Sequence, residues 1–212
     1  MKKKIDRTLI ATTLVCLLPM LLGILLYNKL PDSIPIHFNA AGEVDRYTSK
    51  IVGVLGMPLL LTLLNVFLHF VLNNDPKKAN MSRTMLIISK WCIPVISIIA
   101  QGTSLAIALG ASIPIPTIMS IFVGLLFIAC GNYFPKTKQN YTMGIKLPWT
   151  LNSEENWNRT HRLAGYLWVG GGFAILICGL IRGLETPLFL SIILVMTLIP
   201  TVYSYLLYKK GI

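Results

Sequence analysis

Six runs of about twenty mostly apolar residues, separated by short polar connectors, restrict this chain more than any other feature. They lie at about Leu9 to Tyr27, Ile51 to Leu72, Met85 to Leu109, Thr117 to Phe134, Leu163 to Ile181 and Leu188 to Tyr208. A hydrocarbon core about 30 Å thick is crossed by about 20 helical residues, because lipid solvates no free peptide group. Hydrophobic residues make up 54% of the chain and charged residues 13%, so the runs lack the polar faces a water-soluble bundle needs. No stretch shows the strict alternation and turn spacing of an outer-membrane barrel. The expected fold class is therefore all-α, a polytopic integral membrane bundle of six transmembrane helices.

Lys and Arg set the expected orientation, because positive loops beside membrane segments are retained in the cytoplasm. With the N-terminus inside, the inner segments hold Lys2, Lys3, Lys4, Arg7, Lys77, Lys78, Arg83, Lys136, Lys138, Lys146, Arg159, Arg162, Lys209 and Lys210. The outer segments hold only Lys29, Arg46, Lys50 and Arg182, and Lys90 falls within the third span. A multi-pass cell-membrane protein with both termini cytoplasmic is expected. The opening MKKKIDR also resembles a secretory signal, but the apolar run is too long and no small-x-small site precedes Leu30-Pro31-Asp32, so the first helix is expected to be retained. Anionic lipid on the inner face accounts for the basic excess, with no direct nucleic-acid partner.

The outer loop, Lys29 to Lys50, reads KLPDSIPIHFNAAGEVDRYTSK. Pro31 and Pro35 favour extended chain, and Asn39-Ala40-Ala41-Gly42 supplies a turn, so a short strand, a tight turn and a return are expected. Ile34, Ile36 and Phe38 alternate and would place one face against the bilayer surface or the bundle. Thr48 or Ser49 is the expected cap of the second helix. His37, Glu43 and Asp45 admit three readings: a metal site, a hydrogen-bonded or ion-paired cluster with Arg46 or Lys50, or a binding surface. Their spacing matches no specific metal motif. No metal or cofactor is expected.

The inner loop, 135–162, is polar, basic and rich in Trp, Asn and Pro, with little flexible filler. Asn152-Ser153-Glu154-Glu155 reads as a helix start, with Asn152 as cap and Glu155 three residues on. Glu155 and Arg159 support that helix at i,i+4. Trp157, Thr160 or His161, Ala164 and Trp168 recur on one face and carry the helix into the fifth span. This stripe packs at the headgroup level, or Trp149, Trp157, His161 and Arg162 form a docking surface for a protein or peptide. No nucleophile, carboxylate pair or metal partner accompanies His161 at recognisable spacing, so no catalysis is expected.

Within the spans, Asn65 and Gln101 are placed for hydrogen bonds between helices, Lys90 for snorkelling to the inner interface, and His69 and Asn132 near inner ends. Pro58, Pro94 and Pro200 can kink their helices, and Gly170-Gly171-Gly172 allows close helix approach. Cys16, Cys92, Cys130 and Cys178 lie inside spans without C-x-x-C spacing and read as packing residues.

Both loops together resemble the SdpI family, named for immunity against a sporulation-delaying toxin. The outer segment is similar to the family's L-P-x-x-I-P-x-H-x-x-x-x-G-x-x-D-x-x-x-x-K pattern in the associated N-terminal domain of unknown function. Leu30, Pro31, Ile34, Pro35, His37, Gly42, Asp45 and Lys50 stand at its positions. The inner segment resembles the pieces G-N-x-x-P, N-x-x-x-G-I-[KR]-x-P-W-T-L and W-x-x-T-H-R. Here these are Gly131, Asn132 and Pro135; Asn140, Gly144, Ile145, Lys146, Pro148, Trp149, Thr150 and Leu151; and Trp157, Thr160, His161 and Arg162.

The resemblance implies a membrane immunity and signalling protein without a catalytic step. It implies that His37, Glu43, Asp45 and Lys50 sense an extracellular peptide toxin. It further implies that Asn140, Lys146, Trp149, Trp157, His161 and Arg162 engage a transcriptional repressor on the cytoplasmic side. A small-solute or peptide transporter is the alternative, weakened by the lack of an acidic residue in any span. The expected division is a two-helix module with its outer loop at 1–80 and a four-helix module at 81–212.

Overall fold

The computed structural model describes residues 6–181 and 185–212. Lys2, Lys3, Lys4 and Arg182, which enter the charge argument, lie outside them. Among the described residues, six helices are long and apolar enough to cross a membrane: α1 (Arg7–Leu25), α2 (Lys50–Asn73), α3 (Arg83–Ala108), α4 (Ile115–Tyr133), α6 (Glu154–Ile181) and α7 (Thr186–Lys209). The short helix α5 (Pro148–Asn152) and an antiparallel hairpin, β1 (Ser33–Phe38) with β2 (Val44–Ser49), complete the set. The all-α polytopic class holds, with the hairpin as its small β element.

Local chemistry explains the element ends. Asp6 caps α1 by accepting from the Thr8 and Leu9 amides at 3.0 and 3.2 Å. Ser49 directly precedes α2. The cap of α6 sits one residue later than the sequence pattern suggested. Asn152 ends α5, and Ser153 supplies both its carbonyl to Trp157 N–H at 2.9 Å and its hydroxyl oxygen to Asn156 N–H at 3.2 Å. The helices continue through Pro19, Pro58, Pro94 and Pro200.

The chain forms two compact units, Met1–Val71 with Ser89–Ile115, and Leu72–Ile88 with Pro116–Ile212. In the first, a polar seam runs through otherwise apolar helices. Asn65 Nδ2 donates to Thr12 Oγ1 at 3.1 Å, which lies 3.1 Å from His69 Nε2. His69 Nδ1 and Lys90 Nζ both reach Asp6, at 3.4 and 3.3 Å, so the Lys90 ammonium ends beside the start of α1. Gln101 donates to Gly53 O at 2.8 Å, and Ser97 to Cys16 O at 2.8 Å. Lipid offers these groups no alternative partner, so Asn65 and Gln101 join α2 to α1 and α3 to α2 as their positions suggested.

The hairpin is rooted in the same unit. Ile34 is fully buried with Leu30, Val54 and Leu105. A Cβ on Gly53 would come within 2.5 Å of Ile34 Cβ, so only glycine lets the strand seat on α2. Ser104 donates to Pro35 O. The expected alternation of Ile34, Ile36 and Phe38 is not kept. Ile34 and Pro35 are the buried neighbours, while Ile36 is 40% exposed, because the register shifts between Pro35 and Phe38.

In the second unit α4 and α6 meet along a glycine seam. A Cβ on Gly124 would lie 2.8 Å from Gly172 O, and one on Gly165 would lie 2.8 Å from Gly131 O. Of the Gly170-Gly171-Gly172 run, Gly172 faces α4 and Gly171 faces Met196 of α7, while Gly170 has open space. With no hydrophobic force between helices in lipid, such backbone proximity is what lets dispersion hold them together.

Candidate functional site

The segment between α4 and α6 is an ordered node whose core is a stack of rings. Trp157, on the first turn of α6, is fully buried, and its indole N–H donates to Thr137 O at 2.8 Å. One turn on, His161 stacks on it with ring centroids 3.9 Å apart. Phe134 meets His161 edge to face at 5.8 Å. A carbonyl can only accept, so His161 Nδ1 carries the proton donated to Trp157 O at 2.8 Å. Its Nε2 then accepts from Ile145 N–H at 2.9 Å. Both ring nitrogens are committed inside the protein.

Backbone conformation makes that contact feasible. Gly144 has φ +105°, and a Cβ there would stand 2.3 Å from His161 Nε2. An L side chain is excluded both by its backbone and by the imidazole. The remaining polar groups tie the loop to itself. Asn140, fully buried, accepts from Thr142 N–H and Met143 N–H at 3.0 and 2.7 Å and donates to Lys138 O at 2.9 Å. Thr150 accepts from Leu147 N–H at 2.9 Å and donates to Ile145 O at 2.8 Å, which sets α5.

Three tethers were not read from the sequence. Asp75, between α2 and α3, accepts from Lys77 N–H at 2.7 Å, from Tyr141 N–H at 3.1 Å and from the Thr142 hydroxyl. Gln139 donates to Thr150 O and Leu151 O at 2.9 and 2.8 Å while accepting from Lys77 Nζ. On α6, Asn156 donates to Ser204 O at 3.0 Å and accepts from the Ser204 hydroxyl at 2.6 Å, fixing α7.

The six residues expected at a partner surface thus fall in four places. Asn140, Trp157 and His161 are inside, closed to solvent, and hold the node's shape. Trp149 is half-buried, with its ring 5.5 Å from Tyr205 and 5.9 Å from Tyr208. It lines an open groove of about 520 Å³ with Pro148, Asn152, Ser153, Tyr208, Gly211 and Ile212. Its indole N–H is buried and has no hydrogen-bond partner within the protein. Lys146 is exposed and donates to Thr142 O at 2.9 Å. Arg162 is exposed on a different groove, formed by α6 and α7.

The hairpin has the opposite character. Asn39 builds its turn, accepting from Ala41 N–H and Glu43 N–H at 2.9 and 3.0 Å, with Gly42 at φ 84°. His37 Nδ1 pairs with Asp45 at 2.6 Å while both side chains stay solvent-exposed. Glu43 accepts from Asn39 Nδ2 at 3.1 Å. Lys50 reaches Asp32 at 3.3 Å and lies 5.2 Å above the Tyr27 ring, so its partner is neither Glu43 nor Asp45. No group of three or more His, Cys, Asp or Glu able to hold a metal is present among the described residues.

Residues 136–204, from the connector through most of α7, match the SdpI/YfhL protein family. Residues 14–62, from α1 through the hairpin into α2, match a domain of unknown function, DUF1648. Over 205 residues the chain is 28% identical to the immunity protein SdpI of Bacillus subtilis (strain 168), covering 96% of this chain and 97% of that protein. No solved structure matches the chain. With one family model on the connector and last two spans, a second on the first two, and a likeness running the length of both chains, this protein is similar to the SdpI/YfhL family from end to end.

Proposed function

We propose that this protein is a membrane immunity factor that protects the cell carrying it from an extracellular peptide toxin. The observation that carries the reading is the end-to-end likeness to a named immunity protein, which spans 96% of this chain rather than one shared helix pair. The six-span architecture supports it, because a toxin acting from outside must be met at the membrane.

In this reading the hairpin faces the exterior, and His37, Glu43, Asp45 and Lys50 are its toxin-facing polar groups. Three spans separate the hairpin from the 134–153 connector, which then faces the cytoplasm, with both termini on that side. There the buried ring stack and Asn140 present an edge, Lys146 with the Trp149 groove, to a transcriptional repressor that is held at the membrane when toxin is present. An open groove walled by the Trp149 and Tyr208 rings suits a short apolar protein segment.

The test is survival. A toxin-sensitive strain lacking its own immunity gene, expressing this chain, should survive challenge by the cognate peptide. Unchanged killing, with the protein confirmed in the membrane, would overturn the reading. For the repressor, Lys146→Ala with Trp149→Ala should free the partner from membranes while leaving insertion intact. Partner location unaffected by that pair would remove the cytoplasmic half of the proposal.

A further inference from the structure

Helix α6 changes character at Arg162. Before it lie Glu154, Glu155 and Arg159, and from Leu163 to Ile181 no charged residue occurs. The guanidinium therefore stands where hydrocarbon gives way to headgroups. An open groove of about 550 Å³ lies at this level, lined by Asn158, Arg159, Arg162, Leu163, Tyr166 and Tyr203. Asn158, Arg162 and Tyr166 follow one another at i, i+4 and i+8, so their side chains line one face of the helix.

The two arginines are not equivalent. Arg159 is engaged by Glu155 one turn earlier. Arg162 is exposed and has no acidic partner among the described residues. A cation at this depth is stabilised by an anion that meets it. The groove also offers apolar surface beside the charge: Leu163, and Tyr166, which is 74% exposed. A small free anion would use the charge and leave that surface bare. A phosphate attached to acyl chains would use both.

We propose that this groove binds the headgroup phosphodiester of an anionic phospholipid. Arg162 supplies the planar fork that pairs with phosphate oxygens. Asn158 and Tyr203 supply neutral donors, and Leu163 with the Tyr166 ring lies against the first acyl methylenes. The site lies apart from the Trp149 groove and does not depend on toxin immunity, so either can fail without the other.

The test uses the full chain purified in detergent and titrated, under native mass spectrometry, with phosphatidylglycerol, phosphatidylcholine of the same chains, or inorganic phosphate. Phosphatidylglycerol should be retained about tenfold more strongly than phosphatidylcholine, and Arg162→Ala should erase that difference. Arg162→Lys, which keeps the charge without the fork, should retain about a third of the preference. Arg83→Ala, outside the groove, should keep all of it. Equal retention of the two lipids, or undiminished preference in Arg162→Ala, overturns the proposal. So does inorganic phosphate binding at the same residue as tightly as the lipid, which would make this a free-anion site. If Arg162→Ala releases an acidic protein partner from membranes while lipid retention is unchanged, the groove is a protein surface and the lipid assignment falls. Should Arg162→Ala not fold, Arg162→Lys and Tyr203→Phe decide the matter: preference unchanged in both overturns it.

Discussion

The β1–β2 hairpin and the connector between α4 and α6 stand out in the sequence for the same reason, polar and aromatic residues packed between membrane spans, yet they use those residues in opposite ways. In the hairpin, His37, Asp45, Glu43 and Asn39 pair with one another in solvent, and the buried neighbours Ile34 and Pro35 root the element. In the connector, Trp157, His161 and Asn140 are sealed from solvent and cross-link the loop. A conspicuous polar residue is thus an exposed contact group in one region and a scaffold in the other. What separates them is the number of backbone groups each must satisfy. A two-stranded ladder closes on itself, whereas a loop of this length without a ladder needs side chains to occupy its free N–H and C=O groups.

That contrast makes graded predictions. Trp157→Ala should cost most, about 3–5 kcal/mol, because it leaves a cavity under His161 and orphans Thr137 O. It should also open Lys138 and Lys146 to trypsin, read as cleavage of the purified protein; resistance equal to the parent would mean the ring stack does not hold the loop. Ile34→Ala should cost about 2–4 kcal/mol, seen as a lowered unfolding midpoint in detergent with the connector still protected from trypsin. Asp75→Asn keeps an acceptor for Lys77 N–H but turns an amide donor toward Tyr141 N–H or the Thr142 hydroxyl. About 1–3 kcal/mol of stability and part of the trypsin resistance should be lost. His37→Ala should be nearly silent, about 0–1 kcal/mol by thermal unfolding, since an exposed pair contributes little. A hairpin substitution that destabilised as much as Trp157→Ala would erase the distinction between the regions.

Much of this was legible before the structure. The spans follow from hydropathy because bilayer thickness fixes helix length, and Asn65 and Gln101 announced their role by being polar where lipid tolerates few polar groups. The Asn39–Gly42 turn was readable because its chemistry is local. Asp75 was not. It sits in an Asn-Asn-Asp-Pro stretch that looks like any loop, and its partners Tyr141 and Thr142 lie over sixty residues away. The cap of α6 was misread by one position because α5, a single turn closed by Thr150, consumes Asn152. The alternation of β1 failed at a register shift, which the residue types alone do not mark. For the candidate site, the motif residues were found, but the burial of His161 rests on the loop closing over it at Gly144, a close approach that residue types alone do not mark.

Single-cysteine labelling in intact cells bears on all of this at once. With Cys16, Cys92, Cys130 and Cys178 replaced, Ala41→Cys at the hairpin tip should react with a membrane-impermeant maleimide added outside. Lys146→Cys, exposed on the connector, should react only after the membrane is permeabilised. Labelling of both positions from the same side would contradict a six-span protein that shows its hairpin to the exterior and keeps its connector in the cytoplasm.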